Sequence, residues 1–165
     1  MEFLELARKH LRYLETGYGC KVMKERRDRW SPFVAYQNQT TGVLAEYEVR
    51  DAYLNILLYR LENGKIIRDP VLNSPTATTF HGHALDDIVS LRSAAAVVGS
   101  MQDFSASPEG EIPESKMLEA YVRRFAENLR LYADDVLRGD FAIFLQVDRL
   151  MRRRIDEWLA SYGRK

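Results

Sequence analysis

Residues 115–162, the last third of the chain, carry the pattern that most limits the fold. Leu118, Val122, Phe125, Leu129, Tyr132 and Val136 step by four, three, four, three and four residues, which puts all six on one face of an α-helix. Gly139 can end that helix, and Asp140 can accept backbone N–H groups at the start of the next. A second stripe follows in Phe141, Phe144, Met151, Ile155, Trp158 and Tyr162. Two amphipathic helices over about 115–138 and 141–162 are therefore predicted, with their aromatic stripes in the core. Asp134 and Asp135 then fall near a helix C-terminus, where the macrodipole disfavours acids unless Arg130 and Arg138, four residues away on either side, compensate them.

Upstream, the periods change. Phe3, Ala7, Leu11, Leu14 and Tyr18 share a helical face, predicting a helix over 2–16 stopped by Gly17 and Gly19. Strands are predicted over 20–27, 33–38, 43–50 and 53–61. In the third, Val43, Ala45, Tyr47 and Val49 alternate with Leu44, Glu46, Glu48 and Arg50, giving one apolar and one mostly charged face. The fourth is apolar on both faces and belongs inside the sheet. Asn63-Gly64 suits a type I′ turn that returns 65–67 as a fifth strand. Such short connections require antiparallel pairing. Residues 69–83 and 99–113 read as loops, and about 84–95 as a helix. The expectation is one α+β domain over 1–165: an antiparallel four- to five-stranded meander, an N-terminal helix and three C-terminal helices, with helices mainly on one face.

Composition narrows the function. Lys+Arg and Asp+Glu both number 24, so the chain has no net charge and lacks the basic excess of a nucleic-acid binder. The lone Cys20 excludes an internal disulfide and fits a buried small hydrophobe in a reducing compartment. The N-terminus has no signal-peptide order and no apolar run is long enough to span a bilayer, so a cytoplasmic protein with no membrane partner is expected.

Few residues suggest chemistry. His81, His83, Asp86 and Asp87 are the only cluster of ligand-type side chains, two imidazoles followed by two carboxylates on a first helical turn. A divalent metal would find at most two nitrogen ligands there. The alternative is that the aspartates favour a helix N-terminus while the histidines face solvent. Arg152, Arg153 and Arg154 splay around a helix rather than converge on a phosphate. No nucleophile elbow or phosphate-cradling glycine loop is present. Trp30, beside Arg29 in a connector, is either an interface aromatic or buried under the first helix.

Two fragments taken together, Phe3 to Gly19 and the run Asn128 to Asp140, resemble the opening helix ending in Tyr-Gly and the closing Leu-Arg-x-Tyr…Leu-x-Gly-Asp segment of a group of small bacterial α+β proteins. The resemblance implies a fold, with a β-meander between the fragments, and no activity. The reading that follows is a non-enzymatic protein-binding domain of immunity or adaptor type, without cofactor. It would meet a partner through Trp30, Glu46, Glu48 and Arg50 on the third strand and its neighbouring loop. The competing reading is a metal- or ligand-dependent enzyme using His81, His83, Asp86 and Asp87. Homodimerisation through the C-terminal helices is compatible with both.

Overall fold

The N-terminal stripe does not build one continuous helix. In the structure, a computed structural model that describes residues 2–65, 82–105 and 113–162, it forms α1 (Glu2–His10) and α2 (Tyr13–Tyr18). They meet at a tightened turn in which Leu14 N–H donates to Leu11 O at 2.9 Å. α2 runs through Gly17 and is capped at Gly19, where Cys20 N–H reaches back to Leu14 O at 3.0 Å. The kink lets Phe3, Leu4, Ala7, Leu11 and Leu14 all stay buried along the curved sheet.

Five strands follow in one antiparallel sheet whose spatial order is the chain order: β1 (Lys21–Arg26), β2 (Phe33–Gln37), β3 (Thr41–Glu48), β4 (Tyr53–Arg60) and β5 (Gly82–Ala84). The Asn63-Gly64 turn has positive φ at both residues, as a type I′ turn requires. It closes only a single bridge between Glu62 and Lys65. Ile66 and Ile67 lie outside the described residues, and the fifth strand is supplied by 82–84. This corrects the expectation of a loop running to His83. β4 is thereby an interior strand, as its apolar content predicted. The edge strand β1 is mostly exposed and carries Lys21, Lys24, Glu25 and Arg26. Charges of this kind discourage edge-to-edge pairing.

The helices cover one face. α3 (Leu85–Arg92) is followed by a 3-10 turn at Ala94–Ala96, α4 (Met101–Ser105), α5 (Glu114–Tyr132), α6 (Asp134–Leu137) and α7 (Phe144–Tyr162). The core lies between them and the sheet side chains Val34, Tyr36, Val43, Ala45, Tyr47, Leu54, Ile56 and Leu58. Two expectations fail here. Segment 101–105, expected to be loop, is helical because Ser100 and Asp103 form a reciprocal cap: Asp103 N–H donates to Ser100 Oγ at 3.2 Å, and Ser100 N–H to Asp103 Oδ2 at 3.1 Å. The helix expected over 115–138 breaks at Ala133, where φ is −134°. Asp134 and Asp135 therefore open a new helix instead of closing an old one, and the macrodipole favours them.

The opposite face of the sheet is not the open charged surface that the alternation of the third strand implied. Phe33, Ala35, Leu44 and Tyr59 form a second, smaller buried cluster there, with Leu57 and Leu61 packed against it. Arg26 lies over the Phe33 ring, 4.7 Å from its centroid, and pairs with Glu46 at 3.2 Å. Cys20 is buried as expected, and burial pushes its thiol pKa up to about 11.

Candidate functional site

The residues singled out for chemistry separate in space. β5 places His83 opposite Leu58 on the core face, where it is 1% exposed, so the expectation of a solvent-facing histidine is wrong. Its Nε2 lies 3.0 Å from Oδ1 of Asp148, itself 3% exposed, on the second turn of α7. The imidazole meets the Phe144 ring edge to face at 4.5 Å. Burial lowers the His83 pKa, and the neighbouring Asp148 and Asp87 carboxylates offset part of that shift. Sequence alone could have flagged Asp148: it falls on the apolar stripe between Phe144 and Met151, where a carboxylate needs a buried partner.

Asp86 turns the other way. Its Oδ2 accepts the Tyr53 hydroxyl at 3.1 Å, and burial raises its pKa. Asp87 forms an ion pair with Arg154 of α7. His81 lies outside the described residues. Among the described residues no group of three or more His, Cys, Asp or Glu side chains is arranged to hold a metal ion. The His83–Asp148 pair and the Asp87–Arg154 pair both join the β5–α3 corner to α7, which makes this cluster a fastening for the last helix.

The interface candidates are distributed differently from expectation. Trp30 is 60% exposed, which corrects the reading that buried it under the first helix. The connector is strapped along β3 by Tyr47 N–H to Pro32 O (3.0 Å) and Val49 N–H to Trp30 O (2.9 Å), and Asp28 Oδ1 accepts the Trp30 N–H at 2.7 Å. Arg29 lies over the indole at 4.9 Å. Glu46 and Glu48 are half-buried, Glu46 in its pair with Arg26, and Arg50 is exposed.

A second aromatic surface was missed. The α7 stripe was expected to be core along its whole length. Phe144, Val147 and Asp148 are buried and Met151 is half-buried, but from Arg152 to Tyr162 every residue is exposed. Ile155, Trp158, Leu159 and Tyr162 are 40%, 58%, 54% and 64% exposed, and the Trp158 and Tyr162 rings meet at a tilt of 48° with centroids 4.6 Å apart. The spacing i, i+3, i+4, i+7 that marks a buried face is thus carried past the body of the domain. The signal for this was length: 19 residues of helix extend about 28 Å, and the buried residues Phe144, Val147 and Asp148 all fall in its first two turns.

The fragments that carried the fold resemblance do meet. The Tyr18 hydroxyl donates to Asp134 Oδ1 at 2.5 Å, Arg138 pairs with Asp134 at 2.9 Å, and Asn38 Nδ2 donates to both Tyr18 O and Leu137 O at 3.2 Å. These contacts fix the α2 end, the β2–β3 turn and α6 together, and use the polar atoms for structure. The whole defines an α+β domain with a helix-covered antiparallel meander. No protein-family model, curated protein or solved structure matches the chain.

Proposed function

We infer that this is a protein-binding domain that offers the free part of α7 to an apolar groove on a partner protein. The observation carrying this reading is the exposed stripe Ile155, Trp158, Leu159 and Tyr162. Helix-in-groove recognition uses anchors at that spacing, and Trp and Tyr are enriched among the residues that dominate binding energy. Arg154, on one flank of the stripe, is already paired with Asp87, so recognition rests on the apolar and aromatic side chains themselves. Exposed Trp30 beside Arg29 is a second anchor of the same composition, on a different part of the surface.

The test is photo-crosslinking from a reactive amino acid placed at position 159 while the protein is expressed in its native cell. A crosslink to one other protein is expected, lost when Trp158→Ser and Tyr162→Ser are combined in a chain whose melting temperature is unchanged. Crosslinking only to further copies of the chain, or a partner retained by the double variant, would refute the reading. Repeating it with Trp30→Ala decides whether the connector belongs to the same interface.

A further inference from the structure

A hollow of about 450 Å³ lies where the end of β4 meets the turn leading into α7, lined by Arg60, Asp140, Phe141, Ala142, Phe144 and Leu145. We propose that it is a binding site for a free α-amino acid with a large apolar or aromatic side chain. Arg60 and Asp140 line the same hollow, yet they are not ion-paired with one another, and neither forms an ion pair with another described residue. Arg60 instead extends over the Phe141 ring, 5.9 Å from its centroid. Asp140 uses Oδ1 to accept the Ala142 N–H at 3.0 Å, which fixes the carboxylate while its Oδ2 takes no bond from a described residue.

A cation and an anion that line one hollow without pairing match a ligand carrying both charges on neighbouring atoms. The guanidinium presents a planar fork suited to a carboxylate, and the aspartate accepts an ammonium. The remaining wall is Phe141, Phe144 and Leu145, which suits an apolar side chain. Phe144 is held in place by its contacts with His83 at 4.5 Å and Phe141 at 5.2 Å, so this wall is formed before any ligand arrives. The volume lies within the range of small-molecule sites, roughly 300–1,000 Å³. A peptide terminus supplies only one of the two charges, so the pair distinguishes a free amino acid from a peptide end. The site is independent of the exposed end of α7 and stands whether or not that surface binds a protein.

The experiment is a titration of the whole chain with L-phenylalanine, followed by amide ¹H–¹⁵N shifts, with N-acetyl-phenylalanine and phenylalanine amide as probes that each remove one charge. Saturable shifts at residues 141–145 are expected with the free amino acid, and binding about tenfold weaker with each blocked form. Arg60→Gln and Asp140→Asn should each weaken binding to a similar extent. Asparagine keeps the capping acceptor, so the turn survives in Asp140→Asn. Equal binding of all three compounds would overturn the proposal by showing that the charges play no part. Shifts absent from 141–145 in a folded chain at millimolar phenylalanine would overturn it outright.

Discussion

Tyr36 is fully buried in the second strand, between the sheet and the first helix pair, and its hydroxyl has no hydrogen-bond partner among the described residues. Burial pushes its pKa up to about 12. A buried hydroxyl without a partner keeps its desolvation cost and returns nothing, so Tyr36→Phe is expected to stabilise the fold by about 1 kcal/mol, read as a higher urea midpoint at unchanged slope. A lower midpoint would mean that the hydroxyl is satisfied in solution. Gly139 has the opposite sensitivity. Its φ is +92°, and an added Cβ would sit 2.8 Å from Thr40 Oγ1. Thr40 belongs to a turn already fixed by Asn38 Oδ1, which accepts the Thr40 and Thr41 N–H groups at 2.9 and 2.8 Å. It cannot move away cheaply. Gly139→Ala should therefore cost about 1–3 kcal/mol in thermal or urea unfolding, and an unchanged melting temperature would sink this account of the turn. Gly139 supplies the left-handed backbone here, and Asp140 holds the turn into α7 by accepting the Ala142 N–H.

At the level of elements, what was legible depended on whether periodicity alone decides the answer. The strand alternation, the interior position of β4 and the amphipathic faces of α1, α5 and α7 follow from spacing, because burial of one face is all that sets them. The breaks do not. α5 ends at Ala133, a corner held from elsewhere in the chain: Arg92 reaches Asp135 with two bonds of 2.8 and 2.5 Å and also donates to Tyr132 O. These partners are some 40 residues away and invisible to a local pattern. The candidate site shows the same limit. His83 and Asp148 are 65 residues apart, and only the sheet order brings β5 beside α7. The α7 stripe was legible as a stripe, but its covering was not, since that depends on contacts with the distant β5–α3 corner. The two halves of this helix should respond differently to truncation. Phe144→Ala is expected to cost about 3–5 kcal/mol, as for other buried aromatics. Trp158→Ala should change stability by no more than about 0.5 kcal/mol. Comparable losses from both, measured by urea unfolding, would mean that the outer turns of α7 fold back onto the body in solution.

Across the whole molecule, the last helix is joined to the sheet through a buried imidazole, and this makes global stability depend on pH. Burial holds the His83 pKa below its ordinary value of 6.5. The unfolded chain therefore takes up a proton before the folded one does. The stability this group contributes is complete above pH 6.5 and is lost as pH falls from there toward the lowered folded pKa, at up to about 1.4 kcal/mol per pH unit. Two other sets of groups also contribute to the pH dependence. Asp134 and Asp135 have pKa values depressed by Arg138 and Tyr18, and by Arg92, so their contribution is lost only as pH falls below the ordinary carboxylate range. Asp86 works in the opposite sense: its raised pKa makes the folded state the stronger proton binder, so lowering the pH through that value stabilises the fold. Because several groups contribute, the decisive quantity is the difference between two curves. Urea unfolding of the parent chain and of His83→Gln between pH 8 and pH 5 should diverge below pH 6.5, the parent losing stability faster. Glutamine keeps a polar side chain beside Asp148 while removing the titration. Parallel curves would mean that His83 takes its proton without leaving the folded state. If the divergence is seen, amide exchange should place the earliest opening at the first turns of α7, where Phe144 and Asp148 meet the imidazole.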